Sequence, residues 1–523
     1  MGKFYITTPV YYVNDAPHLG HAYTTIAADT ISRYKRLCGD KVLFLTGTDE
    51  HGNKILQAAK EKGLSPIELA DRMVNRFKNL WDKLLISYDD FIRTTEPRHT
   101  RVVESIFLKL YEKGDIYKGK YSGWYCVPCE SFWLESQLKD GKKCPECGRE
   151  VIKLEEDSYF FRLSAYQEKL LDYYSRHPDF VQPPTRMREV LEFVKRGLKD
   201  LSVTRLNLEW GISCPVDKSH SIYVWIDALI NYISALGYSL NEEKFSFFWP
   251  ADVHLVGKDI LKFHAIIWPA LLMALDIELP RMVFAHGWWM MRGEKMSKSK
   301  KNVIDPSWIV DKFGPDYLRY FLLREVPFGE DGNFSLSLFT KRVNSDLAND
   351  LGNLLNRSLH LIIRDYQGKV PSPYHQAPED EELKLKLNSL LPKVDRFMNN
   401  LSFSQALSSI WEIVRMANLY LDRSAPWRLI KNGKKERAGS ILYNVLDLMR
   451  ILSVVLFPFI PRGAGKIWEQ LGLQADIEKQ NLKETVNWGR LPSGTRVKGA
   501  SPIFPRIKEE NFYEIKREDK VSF

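Results

Sequence analysis

His18 and His21 share the short string His18-Leu19-Gly20-His21, and their type and spacing suit the capture of an anion. Two imidazoles at the start of a helix add hydrogen-bond donors to backbone N–H groups and a positive dipole end that already favour negative charge. Helical apolar spacing covers 20–37, and Asn14-Asp15-Ala16-Pro17 before it supplies a capping side chain and a proline suited to a first helical turn. Gly20 has no side chain, so a flat ring could lie directly on the helix backbone. Taken alone, two histidines in a turn are equally a pair of satisfied polar residues. A second string decides between the readings. Residues 292–301 gather Arg292, Lys295, Lys298, Lys300 and Lys301 around small residues and Gly293, the composition of an exposed loop. A lysine run is usually a solvated face, but Lys295-Met296-Ser297-Lys298-Ser299 puts point charges on flexible stems, which suit a polyphosphate whose charge moves during reaction. Together the two strings describe a nucleoside triphosphate held from two sides.

Cysteine spacing defines a second kind of chemistry. Cys126-Val127-Pro128-Cys129 and Cys144-Pro145-Glu146-Cys147 form two CxxC turns, the second followed by Gly148. Each turn can aim two thiolates at one point, and two turns complete a tetrahedral zinc site with Zn–S distances of about 2.3 Å. Two disulfides are the alternative use of four cysteines, disfavoured in a cytosolic chain. A redox CxxC is weaker still, because zinc-ribbon spacing leaves no resolving position. The expected role is structural, one ion holding a knuckle with too little core to fold alone. Cys38 and Cys214 are isolated and read as small buried hydrophobes.

The elements that must carry these groups are legible from periodicity. The segment 3–9 reads as a buried strand, followed by the helix over 20–37, and 41–47 reads as another buried strand leading into Thr48-Asp49-Glu50-His51-Gly52. Strands alternating with helices predict an α/β fold with a doubly wound, Rossmann-type parallel sheet and a ligand at the carboxyl ends of its strands. The expected order is 1–113 as the first half of that domain, 114–223 as an insertion with the zinc knuckle, and 224–287 as the second half, with further strands near 253–257 and 282–287. A connecting region over 288–334, an α-helical bundle over 335–506 and a charged tail over 507–523 complete it. Amphipathic patterns at 347–364 and 404–422 mark the bundle.

Composition agrees with this layout without producing it. A chain of 523 residues is too long for one core. With 44% hydrophobic and 27% charged residues it reads as an ordinary soluble protein, and a net charge of +9 suits a polyanionic partner. No uninterrupted apolar run approaches the roughly 20 residues that span a bilayer. The N-terminus enters a strand at once, leaving no room for a signal or transit peptide, and Gly2 lacks the context for myristoylation. A cytoplasmic protein without membrane attachment is expected.

With both strings intact and in this order, the chain resembles the class I aminoacyl-tRNA synthetases, whose two signatures these are, with Leu19 in place of an isoleucine. Three more segments resemble the methionyl branch: Tyr11-Tyr12-Val13-Asn14, Tyr223-Val224-Trp225-Ile226-Asp227-Ala228, and Gly257-Lys258-Asp259-Ile260 running into Phe263-His264. The resemblance extends to about Arg506. It implies activation of L-methionine with ATP to methionyl-adenylate and pyrophosphate, then transfer to the 3′-terminal adenosine of tRNA(Met). His18, His21, Lys295 and Lys298 would act on the phosphates with Mg²⁺, and Gly20, Gly257 and Asp259 would join Lys295 and Lys298 in holding ATP. Tyr12, Trp225 and Tyr232 would enclose the methionine side chain, with Val10 and Phe263 nearby, His264 close to the thioether and Asp49 facing the α-amino group. Polarizable sulfur against aromatic rings is a favourable contact that needs no charge. Asp49 reads equally as a helix cap after a strand, and Trp225 as a core tryptophan on a strand. In the bundle, Asn353 and Arg357 on one helix face and Trp427 in Ser424-Ala425-Pro426-Trp427 match the anticodon readers, the bundle thus being an anticodon-binding domain.

Two other readings compete. A class I enzyme for cysteine or a branched aliphatic amino acid is opposed by the aromatic set around Trp225 and by an insertion too short for a large editing domain. A non-catalytic tRNA-binding paralogue is opposed by two intact signatures. Methionyl enzymes often carry a C-terminal module that dimerises them, whereas this chain ends soon after Phe504-Pro505-Arg506, so the resemblance is to a short form and a monomer is expected.

Overall fold

Strand β1, Lys3–Tyr12, is buried from Phe4 through Pro9, as a central strand covered on both faces must be. The computed structural model describes residues 2–127, 131–133, 135, 138–145, 147–291, 293–295, 304–374 and 377–508. Helix α1, Leu19–Leu37, follows β1, then come β2, Lys41–Asp49, and β3, Asp90–Arg93. Six strands form one parallel sheet in the order β3, β2, β1, Val253–Gly257, Val283–His286 and Val181–Gln182. The chain moves outward from β1 in one direction and then returns to build the other side, so strand order reverses between β1 and Val253–Gly257. The crevice beyond the carboxyl ends of those two strands is where such sheets bind ligands. A register shift between Thr7 and Val10 in the β1–β2 pairing kinks the strand just before the crevice.

The insertion carries a four-stranded antiparallel sheet in the order Ser131–Trp133, Ile116–Cys126, Ile152–Phe161 and Leu201–Ser202. It is not wholly separate from the main sheet, because Val181–Gln182 returns to pair with Val283–His286. A smaller sheet places Trp289–Met291 between Glu294–Lys295 and Gly332–Phe334. Beyond it the described residues are helical, with Asn353–Asp365, Phe403–Ser424 and Lys435–Leu456 as principal members. Their buried faces are continuous with the core beneath α1.

Several local expectations are corrected. The cap of α1 is His18, not a residue of Asn14-Asp15-Ala16-Pro17, and Pro17 therefore precedes the helix. Asp49 ends β2 and caps nothing, since the next helix, Asn53–Glu61, has Gly52 at its cap. Trp225 lies in the first turn of the helix Val224–Ser234, not on a strand. Its β-branched and aromatic neighbours have strand propensity, but the segment buries an all-round apolar helix instead. Finally, among the described residues one helix, Lys435–Leu456, is long and apolar enough to cross a bilayer by length and composition, yet from Ala438 onward it is buried within the protein. Asp447 and Arg450 interrupt its apolar run and pair at 2.7 Å, while Arg450 also donates to the carbonyl oxygens of Thr485 and Asn487. That buried pair ties the following loop to the helix.

Candidate active site

At the head of α1 the two histidines satisfy each other's backbone. Gly20 N–H donates to His18 Nδ1 at 3.0 Å and His18 N–H donates to His21 Nδ1 at 3.1 Å, a capping box made of imidazoles. With both Nδ1 atoms accepting, the proton of each neutral ring sits on Nε2, and that N–H is what the ring offers an anion. The rings stack at 3.8 Å and 21°. Burial, then the neighbouring His18, holds His21 well below the usual imidazole range, which keeps it neutral at pH 7. The space in front of Gly20 is not open for a flat ring: a Cβ there would lie 2.9 Å from His18 Cε1.

Across the crevice, Gly257 ends its strand where a Cβ would meet Asp259 Oδ1 at 2.6 Å. Lys258 Nζ pairs with Asp331 at 2.6 Å, and Asp331 also accepts the Trp288 backbone N–H at 2.8 Å. Trp288 Nε1 donates to Asp259 at 3.3 Å. These bonds fasten the strand end to the small sheet in which Met290 pairs with Lys295. The Lys295 backbone thus belongs to a ladder anchored at the crevice. Lys298 lies outside the described residues.

The aromatic residues expected around a side chain do come together. Trp225 stacks on Phe263 at 3.7 Å and 9°, and Tyr12 meets Trp225 edge-on at 6.2 Å and 86°. Val10 packs against the same core from β1, and buried Asp49 is the strand partner of Tyr12. Phe263 and His264 open a π-helical turn, Phe263–Ile267, a deformation common at functional sites. His264 Nδ1 faces the Ile260 carbonyl oxygen at 3.0 Å, so it carries the proton and Nε2 accepts the Tyr232 hydroxyl at 2.7 Å. Burial pushes His264 down to about 4. The lining is therefore aromatic and neutral.

Sequence reasoning missed a buried network behind this lining. Asp227 takes His51 Nδ1 at 2.7 Å on one carboxylate oxygen and His99 Nε2 at 2.6 Å on the other, and His99 Nδ1 meets Ser234 Oγ at 2.7 Å. Asp227 and His51 both stood in quoted strings, but nothing in their spacing marks them as partners 176 positions apart.

Cys126, Cys144 and Cys147 gather with their sulfur atoms within 4.8 Å of one another, and Cys126 Sγ lies 3.5 Å from Cys147 Sγ. Cys126 and Cys144 are buried, and Gly148 closes the second turn at φ +71, with its N–H donating to the Cys144 carbonyl oxygen at 2.9 Å. Three converging thiols can hold a metal ion. Cys129 lies outside the described residues.

In the helical half, Arg357 pairs with Asp422 at 2.6 Å and its guanidinium stands 5.4 Å from the Trp427 ring. Asn353 is exposed one turn earlier on the same helix. A positive φ at Ala425 breaks Phe403–Ser424 from Pro426–Lys431 and turns Trp427 toward Arg357.

A strand-reversal crevice beside a His-Leu-Gly-His helix head, in a chain that also carries the string Lys-Met-Ser-Lys-Ser, marks a class I tRNA synthetase. The family described as "tRNA synthetases class I (M)" matches residues 4–154 and 149–359, and "Anticodon binding domain of methionyl tRNA ligase" matches 370–519. The chain belongs to the methionyl-tRNA ligase family. It is 54% identical to methionine–tRNA ligase of Caldanaerobacter subterraneus subsp. tengcongensis across 99% of this chain and 81% of that protein. Against methionine–tRNA ligase of Clostridium tetani the identity is 51%, covering 97% of this chain and 79% of the relative. The solved Mycobacterium tuberculosis methionyl-tRNA synthetase in complex with methionyl-adenylate is 43% identical, with a TM-score of 0.93 over 97% of this chain and 100% of that one.

Proposed function

We propose that this chain activates L-methionine with ATP, releasing pyrophosphate, and then transfers methionine from methionyl-adenylate to the 3′-terminal adenosine of tRNA(Met). The observation that carries the reading is the likeness, over nearly the whole of both chains, to a synthetase solved with methionyl-adenylate. In the first step a methionine carboxylate oxygen bonds to the α-phosphorus of ATP as the bond to the β-phosphate oxygen breaks. Such transfers depend on positioning and charge stabilisation. His18 and His21 donate Nε2–H to the phosphates, while Lys295 and Lys298 close on the departing pyrophosphate. Gly257 and Asp259 hold the adenosine, with Gly20 beneath the His18 ring. Mg²⁺ bound with ATP supplies countercharge to the phosphate oxygens.

Asp49 pairs with the methionine ammonium group, and Tyr12, Trp225, Phe263, Val10 and the Tyr232–His264 pair enclose the side chain. The neutral aromatic lining around Trp225 supports a sulfur ligand over a charged one. Asn353, Arg357 and Trp427 read the anticodon, the tryptophan by stacking on an unpaired base. We assign the ion of the cysteine cluster as zinc, completed by Cys129 in a four-thiolate site with a structural role. The protein acts as a monomer in the cytoplasm. Amino-acid-dependent ATP–pyrophosphate exchange tests the reading: methionine alone among methionine, cysteine, isoleucine, leucine and valine should support exchange, and a Lys295→Ala, Lys298→Ala double variant should lose it. Exchange with another of these amino acids, or with none, overturns it.

A further inference from the structure

Two residues of the proposed methionine site arrive on separate elements: Asp49 on the end of β2, and Trp225 on the helix Val224–Ser234. β1 reaches that helix through the Tyr5 hydroxyl, which donates to the Tyr232 carbonyl oxygen at 2.7 Å, and through Tyr12 edge-on to Trp225, whereas the turn that follows Asp49 is tied to it by the buried network. Asp227, two residues after Trp225 on the same helix, holds His51 from the turn that follows Asp49, and holds His99 from the helix Pro97–Lys113. His99 returns through its other nitrogen to Ser234 at the far end of the Trp225 helix, so that helix is gripped at two points. The His51 turn is braced in turn by Trp210, whose ring stands 5.6 Å from His51, whose indole N–H donates to the Glu50 carbonyl oxygen and whose own carbonyl oxygen accepts Gly52 N–H at 3.0 Å. Asp227 and His99 are 1% and 0% exposed in their side chains, so no water competes for these bonds.

We infer that Asp227, with His51 and His99, is the positioning unit that sets the separation between Asp49 and Trp225 and thereby the fit of the amino acid substrate. The inference rests on the methionine site proposed above. It requires donors at defined atoms: Nδ1 of residue 51 and Nε2 of residue 99. Asparagine at 51 and glutamine at 99 place an amide N–H near those atoms, whereas leucine at either fills the volume without a donor.

The test is steady-state ATP–pyrophosphate exchange, with KM for methionine and KM for ATP measured separately, on wild type, Asp227→Asn, His51→Leu, His51→Asn, His99→Leu and His99→Gln. The leucine variants and Asp227→Asn should raise KM for methionine about tenfold or more, with KM for ATP unchanged within about twofold, since small misplacement of a binding group is costly. His51→Asn and His99→Gln should recover most of that loss. Folded leucine variants with an unchanged methionine KM, an equal rise in both KM values, or no recovery in the amide variants would overturn the inference. If Asp227→Asn does not fold, the His51 and His99 pairs decide it alone. Wild type without methionine-dependent exchange would instead sink the methionine site itself.

Discussion

Trp225 and His264, both in the proposed methionine pocket, give predictions of different kinds. Trp225 stacks on Phe263 and meets Tyr12 edge-on, so Trp225→Ala opens the pocket and should raise KM for methionine by roughly tenfold to a hundredfold, from lost aromatic and sulfur contacts of about 1–3 kcal/mol. Exchange kinetics at saturating ATP would read it, and an unchanged KM would remove Trp225 from the pocket. His264 gives a pH dependence whose sign follows from burial. Its folded value of about 4 lies below the ordinary 6.5, so between these pH values the unfolded chain binds a proton that the folded one does not. Stability is therefore full above the ordinary value and is lost as pH falls through that window, by about 1.4 kcal/mol per pH unit for this imidazole. Melting at pH 7 and pH 5 should show that loss. In His264→Gln the difference between the two should narrow, and an unchanged difference would refute the assignment.

The elements that deliver these side chains were legible where periodicity was strong and obscure where tertiary packing prevailed. β1, β2 and α1 follow the apolar pattern closely, and of the strands expected near 253–257 and 282–287 the first pairs in parallel with β1 and the second with the first. The cap of α1 was misread because histidine is a rare cap, and only the distances show His18 Nδ1 taking the Gly20 N–H. Val224–Ser234 was misread because a helix buried all round has no amphipathic period to detect. The π-helical turns at Phe263–Ile267 and Asn344–Gly352 leave no mark in residue type. Of the site, the signature strings, the cysteines and the aromatic set were readable, whereas the His51–Asp227–His99 network joins three distant segments. Metal removal belongs at this scale. Chelation, or Cys144→Ser, should release one zinc per chain and loosen the knuckle, seen as faster amide exchange confined to strands Ile116–Cys126 and Ile152–Phe161. Protection there that survives full metal loss would count against a structural ion.

Across the whole molecule, one buried arginine joins the nucleotide crevice to the helical half. Arg319 pairs with Asp29 on α1 at 2.7 Å and donates to the carbonyl oxygens of Leu84, Pro458 and Phe459. Asp29 is held down to about 2: burial would raise it, but Arg33 and Arg319, with the Ser87 hydrogen bonds, outweigh that. Arg319→Met would leave Asp29 to Arg33 and Ser87 and strip three buried carbonyl oxygens of their donor, costing about 3 kcal/mol. A melting temperature equal to wild type would contradict this joining role for Arg319. The same architecture separates the proposed chemistry at the crevice from the anticodon recognition proposed around Arg357 and Trp427. The most direct measurement of the account is methionine charging of a tRNA(Met) transcript beside the same transcript with its anticodon replaced, using wild type and Trp427→Ala. The expected result is methionyl-tRNA from the native transcript, a fall of at least about a hundredfold in kcat/KM when the anticodon is replaced, from about 1–3 kcal/mol per lost base contact over several bases, a fall of about tenfold to a hundredfold when Trp427 alone is removed, and unchanged pyrophosphate exchange throughout. Equal charging of both transcripts, or no methionyl-tRNA from either, would contradict it.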